Sequence, residues 1–134
     1  MADQIQLEIA TPERQLVSEK VNEITVPAKN GYMGILPGHA PLVGMLGTGS
    51  LSYLCGGTRR SLAIQGGFIE VLPEQVRILA NLAERAEDID LDRARSGLEQ
   101  ARKRLETPAE DSQAALDAVA LAEARVSAAE KKQR

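Results

Sequence analysis

Two spacings of apolar residues divide the chain. Up to about residue 85, apolar side chains recur at every second position in short segments that end near Gly, Pro or Asn, as in QIQLEI, where Ile5, Leu7 and Ile9 share one face. Beyond that point the apolar residues are three and four positions apart. Alternation is typical of a half-buried strand and the wider spacing of an amphipathic helix. The sequence therefore predicts a β domain over residues 1–85 and a helical region over residues 86–134.

The β domain is predicted to be a sandwich or a barrel. Its further strand candidates follow one another at short intervals: NEITV, GSLSYLC, SLAIQ, GFIEVL and QVRILA. Short strands at this spacing are typical of sandwiches and barrels. The glycine pairs at 56–57 and 66–67 predict a hairpin turn and a turn or bulge, because glycine adopts positive φ without steric cost. The chain has only three aromatic residues, so the core is expected to be aliphatic.

The helical region is predicted to form two antiparallel helices. Asp90 is a suitable N-cap for a first helix that ends near Glu106. The segment TPAE, residues 107–110, combines a capping threonine, a proline at the first helical position and a glutamate that completes a capping box. A second helix is expected from Pro108 to about Lys132. The short connection makes an antiparallel hairpin.

Packing of this hairpin is expected to be thin. The second helix has nine alanines and only four larger apolar residues, and alanine buries little surface at about 25 cal/mol per Å². Gly97 in the middle of the first helix costs about 1 kcal/mol relative to alanine. Two interpretations remain open. The hairpin either covers the sheet permanently or separates from it without unfolding.

Composition and charge exclude several classes of protein. The net charge is −3 and charged residues make up 26% of the chain, whereas a nucleic-acid-binding domain usually has a basic face. The apolar runs are shorter than the roughly 18 residues that a membrane-spanning helix needs. The N-terminal residues resemble neither a signal peptide nor a transit peptide. We therefore expect the protein to be retained in the cytoplasm, without direct insertion into a membrane.

Residues that could carry chemistry are few. His39 is the only histidine and has no neighbouring nucleophile or metal-ligating partner, so a structural or interface role is favoured. Cys55, the only cysteine, is expected to be a small buried apolar residue. The glycines at 31–34 are not followed by the GK[ST] of a phosphate-binding loop. The basic run Arg102–Arg104 is either a solvated face or a contact for an acidic partner. An enzyme in its own right is not predicted.

Two longer segments resemble a known family. GYMGILPGHAPLVGML resembles the block G-x-x-G-x-L/Y-P-G-H-x-P-L of the epsilon subunits of F-type ATP synthases, and GGFIEVLPEQVRILANLAERAEDID resembles their second signature. The resemblance extends over the whole chain, although the helical hairpin matches in pattern more than in identity.

The resemblance implies a non-catalytic subunit of the central rotor stalk. It implies a flattened sandwich of about ten strands that binds the gamma subunit and the ring of c subunits, and so couples proton flow to ATP synthesis. The C-terminal hairpin would extend into the catalytic alpha–beta ring and inhibit ATP hydrolysis. The complex would lie peripherally at the cytoplasmic face of a bacterial inner membrane or a photosynthetic membrane.

The resemblance also assigns candidate interface residues. Lys29, Asn30 and Tyr32 would face the c ring, and His39 would lie near the gamma subunit, with Pro41 stiffening the path beside it. The hairpin would contact the catalytic subunits through basic residues, which are Arg102, Lys103, Arg104 and Arg125.

Some members of this family bind ATP through an I/L-D-x-x-R-A motif, which IDLDRA at residues 89–94 matches. The implied site comprises Glu84, Asp90, Arg93 and Arg125, with Asp90 accepting from the adenine amino group. Gln100 and Leu121 stand where further arginines are expected, so ATP would be a weak regulatory ligand. No cofactor is required and no metal is expected.

Three classes of function remain: a rotor-stalk subunit, a nucleotide-sensing module that acts alone, and a structural adaptor whose hairpin never opens.

Overall fold

The computed structural model describes residues 3–106 and 112–131, which form eight strands followed by two helices. The elements are β1 Ile5–Ala10, β2 Gln15–Val21, β3 Glu23–Ala28, β4 Gly31–Ile35, β5 Leu42–Met45, β6 Thr48–Cys55, β7 Thr58–Val71, β8 Gln75–Arg85, α1 Leu91–Glu106 and α2 Ser112–Lys131. A single 3₁₀ turn, Ala86–Asp88, joins β8 to the helices.

Two long strands, β7 and β8, run through both layers of a sandwich. The first half of β7 pairs with β6, and its second half pairs with β5. β8 pairs with β7 along most of its length, and its first residues also pair in parallel with β1. One layer therefore has the order β2-β1-β8-β7-β5 and the other β8-β7-β6-β3-β4. β2 of the first layer contacts β6 of the second.

The corner between the layers lies at Gly66 and Gly67. Their φ angles are +67° and +116°, in the region that side chains other than glycine rarely adopt. The pairing of β7 with β8 keeps one register on both sides of this point. The glycine pair thus bends a strand, and the turn or bulge predicted here is wrong, because the register does not shift. The pair at 56–57 does form the predicted turn, between Cys55 and Thr58.

The strand count differs from the expected ten because two strands run through both layers. The described residues form eight strands, because β7 and β8 each serve both layers and a sandwich with five strands per layer then needs only eight. The sandwich class itself is confirmed. Three strands, β2, β4 and β5, had not been recognised from the alternation of apolar residues.

The space between the layers is aliphatic, as predicted. Ile5, Leu7 and Ile9 are fully buried on one face of β1 and belong to the same cluster as Leu51 and Leu62. Tyr53 is the one aromatic residue in this cluster. Burial raises the pKa of its hydroxyl above the ordinary value, and a hydrogen bond and the negative charge of Glu19 raise it further. Cys55 at the end of β6 packs against this cluster but is only half-buried, so it is less buried than predicted.

Helix α2 covers the outer face of the second layer. The sheet residues beneath it are small, and four of them are buried: Ser50, Ser52, Ser61 and Ala63. The buried residues of α2 are all alanines, Ala115, Ala122, Ala124, Ala128 and Ala129. Small side chains on both surfaces allow the helix to approach the sheet closely, but they bury little apolar area. The packing of α2 against the sheet is therefore thin.

The predicted start and end of α1 agree with the structure. The Asp90 carboxylate accepts a hydrogen bond from the backbone N–H of Arg93 at 3.2 Å, which is the geometry of an N-cap. The helix ends at Glu106. Leu91 and Ala94 are buried, whereas Leu105 near the far end is 40% exposed. The predicted capping box at Thr107, Pro108 and Glu110 lies outside the described residues.

Two glycine substitutions should change stability in opposite directions. A Cβ at Gly67 would clash with the backbone of Leu79 and Ala80, so Gly67→Ala should lower the free energy of unfolding by about 3 kcal/mol. A Cβ at Gly97 would meet no atom of the described residues within 4 Å. Gly97→Ala should therefore raise the free energy of unfolding by up to about 1 kcal/mol. Urea denaturation measures both, and equal effects of the two variants would contradict the assignment of the corner.

Candidate functional site

A cavity between the sandwich and the hairpin gathers the four residues predicted to bind ATP. Glu84 at the end of β8, Asp90 and Arg93 at the start of α1, and Arg125 of α2 all line it. Its volume is about 400 Å³. No single element provides the site, so the cavity exists in this form only while the hairpin is docked.

Arg125 and Glu84 form the shortest polar contact in this cavity. Arg125 Nε donates to Glu84 Oε1 at 2.6 Å, and both side chains remain about one-third exposed, at 37% and 36%. Solvent screens a pair in this position, so its contribution to docking is small, roughly 0.2–1 kcal/mol. The contact ties α2 to the end of β8 and also engages one of the two guanidinium groups of the cavity.

The charge balance of the cavity is unfavourable for a polyphosphate. Three carboxylates line it, from Glu84, Asp88 and Asp90, against the guanidinium groups of Arg93 and Arg125. One oxygen of Asp90 is used by the N-cap, which leaves the other for a ligand. Apart from Ile89, the remaining walls are formed by small residues: Ala94, Gly97, Ala101, Ala118 and Ala122. A flat ring therefore fits these walls well. The two guanidinium groups, in contrast, are few for binding a chain of phosphates.

The predicted interface residues lie in two separate places. Lys29 and Asn30 form the exposed turn between β3 and β4, where the Lys29 N–H donates to the Met45 carbonyl at 2.9 Å. Tyr32 follows in β4, and its hydroxyl accepts from the Ser50 N–H at 3.1 Å. These three residues share one corner of the sandwich, beside the C-terminal half of α2.

His39 and Pro41 lie in the connection from β4 to β5. The His39 backbone N–H donates to the Leu36 carbonyl at 3.1 Å, and its ring Nδ1–H donates to the Ala40 carbonyl at 2.7 Å. The histidine thus stabilises its own loop. Pro41 is exposed immediately before β5, so this loop borders the outer face of the first layer.

That outer face is apolar, and no other part of residues 3–106 and 112–131 covers it. Met45, Phe68, Leu79 and Ala10 stand in one row across four neighbouring strands. Phe68 and Leu79 are each 57% exposed. We call these four residues, together with the 73% exposed Val43, the apolar face. Contiguous exposed apolar side chains of this kind mark interaction sites.

A charged row runs beside the apolar face. Its charged members are Glu70, Arg77 and Glu8, which pair in this order across three strands, and Val43 pairs with Glu70 at the end of the row. Arg77 Nε lies 3.4 Å from Glu8 Oε2. The sequence contained a signal for this surface that had not been used. In QVRILA, Val76 and Ile78 point inward, so Leu79 has to point outward.

The basic run of α1 is fully available to solvent. Arg102, Lys103 and Arg104 are exposed, and Lys103 makes an i,i+4 contact of 3.5 Å with Glu99, in which both side chains are 71% exposed. Among residues 3–106 and 112–131, no cluster of three His, Cys, Asp or Glu side chains is arranged to hold a metal ion. Neither helix, as far as the structure describes them, is long and apolar enough to span a membrane.

Comparison with known proteins places the sandwich in one class. A family model described as the beta-sandwich domain of the ATP synthase delta/epsilon chain matches residues 4–86. A chain of the cryo-EM structure of Euglena gracilis mitochondrial ATP synthase, titled OSCP/F1/c-ring in rotational state 1, superposes with a TM-score of 0.82. It is 31% identical, and the match covers 96% of this chain and 82% of that one. The fold is thus that of a delta/epsilon-type sandwich with a helical hairpin.

Full-length relatives narrow the class further. The ATP synthase epsilon chain of Solibacter usitatus is 52% identical over 134 residues, which covers 98% of this chain and all of that protein. The epsilon chain of Koribacter versatilis is 48% identical over 107 residues, or 80% of this chain and 75% of that protein. The chain therefore belongs to the family of ATP synthase epsilon chains, which are non-catalytic subunits of the synthase. The resemblance noted in the sequence is confirmed.

Proposed function

We propose that this chain couples the rotor of ATP synthase to its membrane ring through the sandwich and inhibits ATP hydrolysis through the hairpin. Family membership makes it a central-stalk subunit. The observation that carries the finer proposal is the contrast between the two outer faces of the sandwich. The apolar face exposes large side chains, whereas the residues that α2 buries are all alanines.

The apolar face is the proposed contact for the gamma subunit. It exposes Phe68, Leu79 and Val43, and burying one such side chain fully contributes about 1.5–3 kcal/mol. The loop that contains His39 and Pro41 leads directly into β5, which supplies part of the face. The corner formed by Lys29, Asn30 and Tyr32 is the proposed contact for the c ring. The protein would then lie peripherally on the membrane side that carries the catalytic subunits, which in bacteria is the cytoplasmic face.

The hairpin is the proposed inhibitory element. Docked α2 buries only alanines against the sheet, and α1 is buried only near its first turns. The ion pair of Arg125 with Glu84, which joins the hairpin to the sandwich, is partly exposed to solvent, so it holds the hairpin weakly. The free-energy difference between docked and released states is thus small enough for a partner to shift. Released, the hairpin would present Arg102, Lys103, Arg104 and Arg125 to the alpha and beta subunits.

Deleting and undocking the hairpin should have opposite effects. A chain that ends at Glu87 should raise ATP hydrolysis by the assembled synthase and retain ATP synthesis, because the inhibitory element is gone. Ala129→Glu should lower hydrolysis, since Ala129 is fully buried and a carboxylate there opposes docking. Leu116→Glu, at a half-exposed position of α2, is the matched control and should change little. Equal hydrolysis by all four proteins would favour an adaptor whose hairpin stays docked.

Substitution in the apolar face should weaken assembly without unfolding the chain. Phe68→Glu is expected to weaken binding to the gamma subunit by about tenfold or more, since it places a charge in an interface that excludes water. The side chain is 57% exposed, so the free energy of unfolding should change by less than about 0.5 kcal/mol. Thr58→Glu, at the exposed hairpin turn at the opposite end of β7, is the control. Unchanged affinity for Phe68→Glu would exclude this face as the contact.

We also propose that ATP binds weakly in the cavity, with a dissociation constant near the millimolar range, or about 4 kcal/mol. The four residues of the implied site line one space, but the Arg125 guanidinium group is already paired with Glu84. Titration calorimetry of the isolated chain with ATP tests this. Asp90→Asn keeps an N-cap and removes the carboxylate, so it should abolish the heat of binding. Absence of heat in the native chain, or identical heat in the variant, would remove the site.

A further inference from the structure

A chain of hydrogen bonds links the last turn of α2 to strand β4. Lys131 Nζ donates to Ser50 Oγ at 3.2 Å, and the Ser50 backbone N–H donates to the Tyr32 hydroxyl at 3.1 Å. Ser50 is only 3% exposed. A buried serine requires partners for its polar atoms, and here one partner comes from the hairpin and the other from the β3–β4 corner.

The local backbone makes this link possible. β3 pairs with β6 only from Ser52 to Leu54, and the Tyr32 hydroxyl accepts the Ser50 N–H in place of a strand partner. The tyrosine ring reaches Ser50 by crossing Gly49. A Cβ at Gly49 would clash with the Tyr32 hydroxyl and with Pro27. The glycine therefore keeps open the path that the ring takes.

Tyr32 also contacts two different environments. On one side it lines a cavity of about 350 Å³ together with Ser50 and, from α2, Glu123 and Ser127. On the other side the residue is 62% exposed to solvent, next to the turn formed by Lys29 and Asn30. One side chain thus contributes to the wall facing the docked helix and to the outer surface of the corner.

We propose that Tyr32 couples occupancy of the β3–β4 corner to docking of the hairpin. A partner that holds the ring as it stands here favours the docked state. One that draws the ring away from Ser50 removes the acceptor of a buried N–H and favours release. The coupling is reciprocal, so release of α2 changes the position and mobility of Tyr32. The inference rests on the proposed function in one respect, namely that the hairpin can leave the sheet.

The first arm of the test observes Tyr32 from the hairpin side. The chain has two tyrosines, so full-length protein labelled with 3-fluorotyrosine gives two ¹⁹F resonances, which Tyr32→Phe assigns. Lys131→Met should shift or broaden the Tyr32 resonance, because it removes the hydrogen bond from Lys131 Nζ to Ser50 Oγ. Tyr53 faces the core from the same strand as Ser50 and is the internal control. If the Tyr32 resonance has the same position and width in Lys131→Met as in the native chain, the proposal is overturned.

The second arm measures docking by amide hydrogen exchange of α2. Tyr32→Phe and Lys131→Met should each raise the opening constant of the Ala124 and Ala128 amides by about three- to tenfold, as expected for loss of one hydrogen bond. In the double variant the effects should be less than multiplicative, because both act through Ser50. Multiplicative effects, or no effect of Tyr32→Phe, would overturn the coupling. The Ile64 amide in the core should exchange at an unchanged rate.

The same experiment separates failure of the coupling from failure of the proposed function. If the α2 amides of the native chain exchange only as fast as that of Ile64, the hairpin opens only on global unfolding. The detachable hairpin and the coupling then both fail. If α2 opens separately but the variants act independently, only the coupling fails.

Discussion

The packing of alanines against a small-residue strip of the sheet is the interaction on which the other features of this molecule depend. Close approach of α2 to β6 and β7 requires serine and alanine at the sheet positions and alanine on the helix. The contact is therefore well fitted in shape and poor in buried apolar area. The cavity around Asp90 and the groove beside Tyr32 both need α2 in place, so both vanish if the helix leaves.

The two outer faces of the sandwich differ in the size of their side chains. The second layer presents small residues and receives a helix from its own chain. The first layer presents Met45, Phe68 and Leu79 and receives nothing from its own chain among the described residues. Large exposed side chains make a permanent contact with another protein favourable, whereas small ones suit a contact that is made and broken. Under the proposed function, residue size would distinguish a fixed interface from a reversible one on the same domain.

Much of the fold could be predicted from the sequence, for identifiable reasons. Strand β1 was found because Ile5, Leu7 and Ile9 alternate with polar residues, and the start of α1 because Asp90 precedes a helical spacing. β2, β4 and β5 were missed. All three lie at sheet edges and show little alternation, and in the two short strands β4 and β5 most residues are exposed. The bend at Gly66 and Gly67 was predicted as a turn or bulge. A glycine pair within a strand gives the same local sequence pattern as a glycine pair at a turn.

The candidate site was predictable only in part. The motif IDLDRA located Asp90 and Arg93, but nothing in the spacing of residues indicated that Arg125 would bond Glu84, since that contact joins elements far apart in the chain. The apolar face was not predicted, although the alternation in QVRILA already places Leu79 on the face opposite Val76 and Ile78. That Met45, Phe68 and Ala10 lie in one row with Leu79 depends on the register between strands, and this register became visible only in three dimensions.

The continuity of β7 and β8 through both layers has a mechanical consequence. In many sandwiches the two sheets are joined only by loops and can shear against each other. Here two adjacent, hydrogen-bonded strands cross the corner without a change of register, so a load applied at the first layer reaches the second along covalent backbone. A subunit that turns with a shaft needs this stiffness. Torque applied to the apolar face would be transmitted to the sheet beneath α2 with little elastic deformation of the sandwich. The hairpin above that sheet would still be able to move.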